Sequence, residues 1–555
     1  MRFEKRFCAR MTVRAGVLAA AVSVFGPSPV HAQTTPGLTV PPPQQMPAAQ
    51  GTVRRMSIDD AVATALEQNL DLQVQRLTPQ IRDIDTAFYR GNYVPNFTTQ
   101  VNFVDQTQPP SSLLSGNTSQ LTTGRSVVNF GLTQQTPWHG GSYQVQFNNG
   151  RTTTNNIFTS FDPQLTSNIS LTYSQPLLRN FKIDGTRQQL LVSQKNKEIS
   201  DTQLQQSIAQ TVRNVRNAFY DLMYATGNLT VQRESLKLAQ QSLKDNRARV
   251  EIGTMAPLDI VQAEAEVATR EESVILAEAA IERQQDVIRA LVFNPNSPDF
   301  WNARIEPTDT VSFVPTTVNL DEAVKNALSQ RTDLQVARKN IENTSLAVRY
   351  YNNQSLPDLN ASLNYGAQAI GGVGLLRGPS TGLTPGQVTG TIEKSYWSTL
   401  GTVFSGDFPG WTLAFDLSYP IGRSTNEVNL ARSRLQQTQQ ERSMSSLELT
   451  VTTQVRDAAR NVQTNAKRVD ATRSARVLAE RRLEAEEKKY QAGMTQNFFV
   501  LQAQRDLNVA RNNELQALVE YAKSVVNYGA VQQAPLAGGG GAAVATATTS
   551  TQQQQ

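Results

Sequence analysis

Side chains that could act as nucleophiles or soft metal ligands are almost absent from the 555 residues. The only cysteine is Cys8, and the only histidines are His31 and His139. A thiol nucleophile, a Cys/His zinc site and a serine–histidine triad each need more of these residues than the chain contains. The glycine-rich segment 371–374 lacks the Lys-Ser/Thr pair of a phosphate-binding loop. The sequence therefore predicts a protein that is not an enzyme and needs no cofactor or metal.

The first 32 residues have the pattern of a cleavable export signal. Five basic residues precede the apolar run 15–25, and Val30-His31-Ala32 is typical of a cleavage site. No cysteine follows, so a lipid anchor is not indicated. Cleavage would remove five of the 52 basic residues and one of the 47 acidic ones, which leaves 47 against 46. A nearly neutral exported protein gives no indication of nucleic-acid binding.

The remaining chain contains a similar segment twice. Residues 57–103 align without a gap on residues 319–365, and a second match relates Gly253 to Gly493. Such a duplication indicates two copies of one structural unit. The sequence thus divides into a signal peptide (1–32), a flexible leader (33–56), a first repeat (57–318), a second repeat (319–530) and a disordered tail (531–555).

Seven-residue periodicity dominates the helical parts of both repeats. Apolar residues recur every seven positions from Ile208 to Val250, which is typical of coiled-coil packing. The helix that contains them would be ~100 Å long. The predicted long helices cover about 184–252 and 256–292 before a connector at 293–318, and about 424–491 and 496–528 in the second repeat.

Apolar and polar residues alternate in the segments between the helices, most clearly from Trp411 to Tyr419. We predict strands within about 97–177 and at about 357–368 and 410–421. The glycine-rich stretch 369–409 is predicted to be a loop, which would be extracellular if the strands cross an outer membrane. Four to six strands cannot close a barrel, which needs about eight. Open sheet edges are not tolerated in lipid. If these strands face lipid, several chains must share one barrel.

In this order the segments resemble the TolC-like family of outer-membrane efflux ducts over roughly residues 57–530. The duplicated helix–strand unit, the strands SQPLL (174–178) and SYPIG (418–422), and the turns at 250–267 and 490–507 carry the resemblance. It implies an α+β membrane protein with long antiparallel coiled-coil helices. In that architecture the helices form a periplasmic α-barrel, and three chains share a β-barrel in the outer membrane.

The resemblance also implies function and partners. A homotrimer would act as a passive exit duct that accepts cargo from an inner-membrane pump or secretion ATPase through a periplasmic adaptor, with outer-membrane lipid around it. The alternative is a structural or adhesive periplasmic coiled coil without a pore. An exported hydrolase is disfavoured, because no acid–base residues cluster at motif spacing. The sequence does not indicate whether the cargo is a drug, a metal ion or a polypeptide, or which pump supplies it.

The two turns between long helices are the predicted periplasmic tips. Glycine tolerates the left-handed backbone of a tight helix reversal. By analogy with the family, adaptor contact is assigned to Gly253, Thr254 and Met255 in the first turn and to Gly493, Met494 and Thr495 in the second. The alternative is a pair of simple helix caps.

Candidate pore-entrance residues lie close to each turn. Three copies of Asp259 would form an acidic ring that favours cations. Alternatively, Asp259 only complements the dipole of the helix that it begins. The second turn departs from the family pattern, since Phe499 stands where an Asp is expected. Tyr490, Phe498 and Phe499 thus indicate either an aromatic gate or interhelical packing.

The strand count is a second departure from the family. Two extra alternating segments, 128–134 and 143–147, flank Trp138. The family typically supplies four strands per chain, or twelve in the trimer. The extra segments either widen the barrel to eighteen strands or form an extracellular hairpin.

Overall fold

The computed structural model describes residues 53–110, 119–253, 256–296, 300–380 and 385–536. The predicted signal peptide, most of the predicted leader and residues 537–555 of the predicted tail lie outside these ranges. No helix within them is long and apolar enough to cross a membrane.

Four helices of the first repeat correspond in order and length to four helices of the second. In the first repeat they have 11, 22, 67 and 35 residues: α1 (Ile58–Gln68), α2 (Leu70–Gly91), α3 (Gly185–Glu251) and α4 (Leu258–Val292). The second repeat has 11, 23, 67 and 35 residues: α5 (Leu320–Gln330), α6 (Thr332–Gln354), α8 (Thr425–Gln491) and α9 (Asn497–Val531). The second repeat also contains a shorter fifth helix, α7 (Tyr396–Ser405), which has no counterpart among the described residues of the first repeat.

The long helices begin at side-chain caps that the sequence supplies. Asp184 accepts a hydrogen bond from the backbone N–H of Arg187 at the start of α3, and Ser424 accepts one from Glu427 at the start of α8. Each cap satisfies a donor that has no partner within the helix. The two 67-residue helices would each extend ~100 Å.

The helices lie side by side in one layer, and different helices are neighbours at its two ends. Near the sheet, α3 lies between α2 and α6, and α6 packs against α8. Farther away, α4 replaces α2 on one side of α3, and α9 replaces α6 between α3 and α8. Residues of the seven-residue pattern face the neighbouring helices: Val215 and Leu222 of α3 are buried, and so are Val455 and Val462 of α8. The coiled-coil prediction for the long helices is confirmed.

Seven antiparallel strands form the main sheet. They are β2 (Asn96–Gln108), β3 (Leu121–Gln135), β4 (Ser142–Thr154), β5 (Phe161–Pro176), β7 (Asp358–Arg377), β8 (Val388–Lys394) and β9 (Pro409–Ser418). The order is β2-β3-β4-β5-β7, and β8 and β9 pair with successive parts of the other edge of β7. A separate parallel pair joins β1 (Val53–Met56) to β6 (Arg304–Pro307).

The two extra alternating segments are strands β3 and β4, in the middle of this sheet. Their turn lies at the helical end, where the ring of His139 stacks on Phe181 at 4.4 Å and its carbonyl accepts a hydrogen bond from Gln175. The turn is thus next to the start of α3 and not at the far end of the sheet. Of the two alternatives for these segments, this placement favours a wider sheet over an extracellular hairpin.

Three segments predicted without regular structure contain described residues that adopt defined structure. The predicted loop 369–409 contains the end of β7, β8 and α7, and its first three glycines (Gly371, Gly372 and Gly374) lie in a strand paired with β5 rather than in turns. The last four leader residues form β1. The tail residues 532–536 pack on the helices, where the carbonyl of Gln533 accepts the backbone N–H of Thr332 and Ala534 is buried.

Candidate pore entrance and partner-contact site

Both helical hairpins reverse direction at a glycine in the left-handed region. Gly253 has φ of +77° and Gly493 has φ of +73°. In the second turn, Gly493 N–H donates to the carbonyl of Tyr490 at 3.1 Å and Met494 N–H donates to that of Lys489 at 2.9 Å. This is a Schellman motif, which satisfies the last carbonyls of the helix. No atom lies within 4 Å of where a Cβ would be at either glycine, so backbone conformation rather than space requires them.

The residues predicted to contact an adaptor are accessible where the structure describes them. Gly253 and Gly493 are exposed, Met494 is 78% exposed and Thr495 is half-buried. Thr254 and Met255 lie outside the described residues. Exposure suits both an adaptor contact and simple caps, so adaptor contact remains a prediction.

Tyr490 joins the two tips. Its hydroxyl donates to Asn246 Oδ1 of α3 at 3.3 Å, and the guanidinium carbon of Arg249 lies 4.5 Å from its ring centroid. The ring also packs beside the buried cluster of Leu483 and Leu507 between α8 and α9. Burial raises the pKa of the Tyr490 hydroxyl, and the Arg249 charge partly offsets that effect. These contacts are those of interhelical packing, and they hold the end of α8 against the end of α3.

Of the remaining entrance candidates, the two phenylalanines are exposed and Asp259 is half-buried. Phe498 and Phe499 are both about half-exposed on the first turn of α9, with their rings edge to face at 5.6 Å. Asp259 is half-buried in the first turn of α4, and its charge contributes to raising the pKa of Tyr490. The structure therefore brings Asp259 and Tyr490 into one neighbourhood.

A charged cluster centred on the buried carboxylate of Glu266 lies beyond the tip and was not predicted from the sequence. Glu266 of α4, whose side chain is 6% exposed, accepts a hydrogen bond from Arg505 of α9 at 2.5 Å and pairs with Arg270 at 2.6 Å. Burial alone would raise the pKa of Glu266, but the two arginines together lower it. Only the four-residue spacing of Glu266 and Arg270 was visible in the sequence. Arg505 belongs to the other repeat.

The part of the main sheet nearest the long helices has one apolar and one polar face. Residues paired across a sheet share a face. One row across six strands is entirely apolar: Phe97, Leu132, Val145, Leu171, Tyr365 and Trp411. The adjacent row is entirely polar: Asn96, Thr133, Gln144, Thr172, Asn364 and Thr412. The apolar face is largely open, and the side chain of Trp411 is 73% exposed.

Apolar side chains are also exposed on the outermost helices. On α2 they are Val74, Leu77, Ile81, Ile84 and Phe88. On α8 they are Val428, Leu435 and Leu449, at multiples of seven residues. A single copy thus leaves a coiled-coil stripe uncovered on each side of its helical layer.

These features are those of a family of outer-membrane channels. The model of the outer membrane efflux protein family matches residues 142–292 and 323–527, which together are more than half of the chain. The chain belongs to this family, whose members are efflux channels that extend from the outer membrane into the periplasm. Comparison with curated proteins gives no match.

Solved structures of outer-membrane channels share the fold. The CmeC channel of Campylobacter jejuni aligns with a TM-score of 0.59 at 14% identity over 86% of this chain and 85% of its own. VceC of Vibrio cholerae aligns with 0.58 at 13% identity over 86% and 96%. The open state of MtrE of Neisseria gonorrhoeae aligns with 0.56 at 17% identity over 86% and 88%.

Proposed function

We propose that three copies of this chain form a passive exit duct across the outer membrane and the periplasm. The carrying observation is the six-strand row pattern, in which an open apolar face is backed by a uniformly polar one. An apolar exterior and a polar interior are what a lipid-embedded, water-filled barrel requires. A soluble scaffold has no use for an open apolar face of this extent.

The chain has an unpaired strand at each of its two lateral sides. One side carries β2 and α2, and the other carries β9 and α8. Among the described strands, β2 pairs only with β3 and β9 only with β7, so each leaves an unpaired edge. Lipid does not tolerate such edges. Pairing of β2 in one copy with β9 in the next would remove them, and would be antiparallel as in the rest of the sheet.

The same contact would cover the helical stripes. The exposed apolar stripe of α2 lies on the side of β2, and that of α8 lies on the side of β9. A head-to-tail contact that repeats around an axis closes a ring. We take three as the number of copies from the family, whose channels form trimers. With β8 and β9 counted as one edge strand, six strands from each copy give an eighteen-stranded barrel.

In this arrangement the helix tips face the periplasm. Gly253, Gly493, Met494 and Thr495 would receive a periplasmic adaptor that connects the duct to an inner-membrane pump or secretion ATPase. The pump supplies the energy, and the duct itself catalyses no reaction. Export by a cleaved signal peptide at 1–32 would deliver the chain to the outer membrane.

The decisive experiment is conductance of the purified mature protein in a planar bilayer, with its mass measured in the same detergent. We expect discrete channels from a trimer. A monomeric or dimeric rod that never inserts would contradict the duct and favour the structural coiled coil.

A charge substitution at the tip tests the proposed entrance ring. We expect Asp259→Asn to lower the preference for cations, because three carboxylates at a constriction attract them. Glu271→Gln, an exposed position on the same helix, is the matched control and should leave selectivity unchanged. Unchanged selectivity in the Asp259→Asn channel would leave only the helix-dipole role for this residue.

A further inference from the structure

The free edge of β7 is covered by one strand that is broken in the middle. β8 ends at Lys394, which pairs with Gly372, and β9 begins at Pro409, which pairs with Ala367. Both run antiparallel to β7 along the same edge. The intervening residues 395–408 leave that edge and include helix α7.

Helix α7 lies flat on the apolar face of the sheet. Val403 is buried against Ala367 and Ala369 of β7 and against Ile169 of β5. The Phe404 ring lies 6.1 Å from that of Phe147 in β4. The helix thus extends from the free edge inwards over its own sheet. It does not project beyond the edge, where a neighbouring copy would be.

A glycine in β7 provides the seat for the helix. Thr399, which is fully buried, packs directly over Gly371, and a methyl group at Gly371 would overlap the Thr399 hydroxyl. The Thr399 hydroxyl itself donates to the carbonyl of Ser395 at 3.0 Å. No polar atom of Thr399 therefore needs a partner in the sheet.

The helix also covers two polar side chains on this face of the sheet. Ser167 donates to Asn149 Oδ1 at 2.8 Å, and the Tyr396 hydroxyl donates to the same oxygen at 3.1 Å. Ser167 and Asn149 are both buried beneath α7. Without the helix these two polar side chains would face the surroundings of the sheet, at a cost if those surroundings are hydrocarbon.

The other side of α7 is aromatic and uncharged. Trp397 is 79% exposed and Phe404 is 70% exposed, and α7 contains no Asp, Glu, Lys or Arg. Both ends are closed by their own caps: Ser395 accepts the backbone N–H of Ser398, and Gly406 has φ of +72°. These caps satisfy part of the backbone groups that a helix leaves unpaired at its ends, and the helix brings no charge into hydrocarbon.

We propose that α7 is an in-plane membrane helix whose aromatic side contacts the acyl chains of outer-membrane lipid. It continues the lipid-facing surface of the sheet and shields Asn149 and Ser167 from that lipid. The inference depends on the proposed duct, because only then is the apolar face embedded in a membrane. A second copy of the chain is the less favoured occupant, since α7 lies over β5 and β7 and not over the free edge.

Tryptophan quenching tests the contact with lipid. The mature chain contains Trp138, Trp301, Trp397 and Trp411. Three single-tryptophan proteins, each with the other three replaced by Phe, would retain Trp397, Trp411 or Trp301. They are reconstituted as full-length mature trimers in vesicles of phosphatidylcholine, either plain or brominated on its acyl chains.

We expect brominated lipid to quench Trp397 and Trp411 to a similar extent and to leave Trp301 unchanged. Trp411 reports on the sheet face and Trp301 on the connector after α4, outside the sheet. Quenching of Trp411 without Trp397 would overturn the proposal for α7 and leave the duct intact. Absence of quenching at both positions would overturn both the α7 proposal and the membrane-embedded sheet.

Discussion

The contacts within each helical hairpin differ in kind from the contacts between the two hairpins. Within the first hairpin, α3 and α4 share a fully buried apolar cluster that includes Phe219, Leu222 and Ile288. Within the second, α8 and α9 share clusters around Val469 and Leu507. These seams follow the seven-residue pattern of the sequence.

The seam between hairpins, where α3 meets α9, consists largely of hydrogen bonds. Its pairs include Asn217 with Asn527, Tyr224 with Asn512, Gln232 with Asn508 and Asp221 with Lys523, at 2.8 to 3.2 Å. No buried apolar cluster among the described residues combines α3 with α9. Each hairpin should therefore be the stable unit, and the joint between them the weaker contact, because hydrogen bonds exchange with water at small net gain.

Truncation inside a hairpin seam should have the largest effect. Leu222→Ala leaves a cavity at a side chain that is fully buried. We expect the opening free energy of the α3–α4 hairpin to fall by about 2–5 kcal/mol. Amide hydrogen exchange of the two helices measures it. Leu238→Ala, at an exposed position of the same helix, is the control and should cost much less. Equal effects would contradict the assignment of stability to the seam.

Among the described ion pairs that join the two hairpins, the pair of Glu266 with Arg505 contains the most deeply buried carboxylate, with Arg270 as its second partner. Glu266→Gln should lower the opening free energy at pH 7 by about 1.5–3 kcal/mol, since hydrogen bonds to a charged group are lost. Glu264→Gln is the matched control, because Glu264 of the same helix forms a half-exposed ion pair with Arg247 within the first hairpin. Hydrogen exchange of α4 and α9 compares the two variants. Equal and small effects would mean that this cluster is no stronger than the rest of the seam.

The same cluster predicts a pH dependence. The pKa of Glu266 is lower in the folded chain than the ordinary value of 4.5, because the two arginines outweigh burial. The stabilisation by the Glu266 carboxylate is therefore fully present at a pH above its ordinary pKa. It is lost as the pH falls through the lower pKa of the folded chain. Wild-type protection of α4 should decrease over this acidic range more than that of the Glu266→Gln protein. Parallel curves would exclude Glu266 as the titrating group.

The sequence predicts the hairpins better than it predicts what joins them. The heptads and the glycines at 253 and 493 locate both long helices to within a residue or two, because these signals are local. Helix α7 has no such signal. Its residues include Gly401 and several β-branched or aromatic residues, which do not favour a helix, and it packs on Gly371 of strand β7. Arg505 likewise meets Glu266 only through the packing of two repeats. Contacts distant in sequence leave no periodic pattern.

An ordinary pair of the polar seam should have the smallest effect. Asp221 and Lys523 are 2.8 Å apart, and their side chains are 41% and 22% exposed. Partly exposed pairs of this kind contribute about 0.2–1 kcal/mol, and salt screens them. A double-mutant cycle with Asp221→Asn and Lys523→Met, followed by hydrogen exchange of α3 and α9, should give a coupling energy in that range. Raising the salt concentration should reduce it further. A coupling as large as the loss at Leu222 would remove the distinction between the two kinds of seam, and the hairpins would then have to be regarded as a single rigid unit.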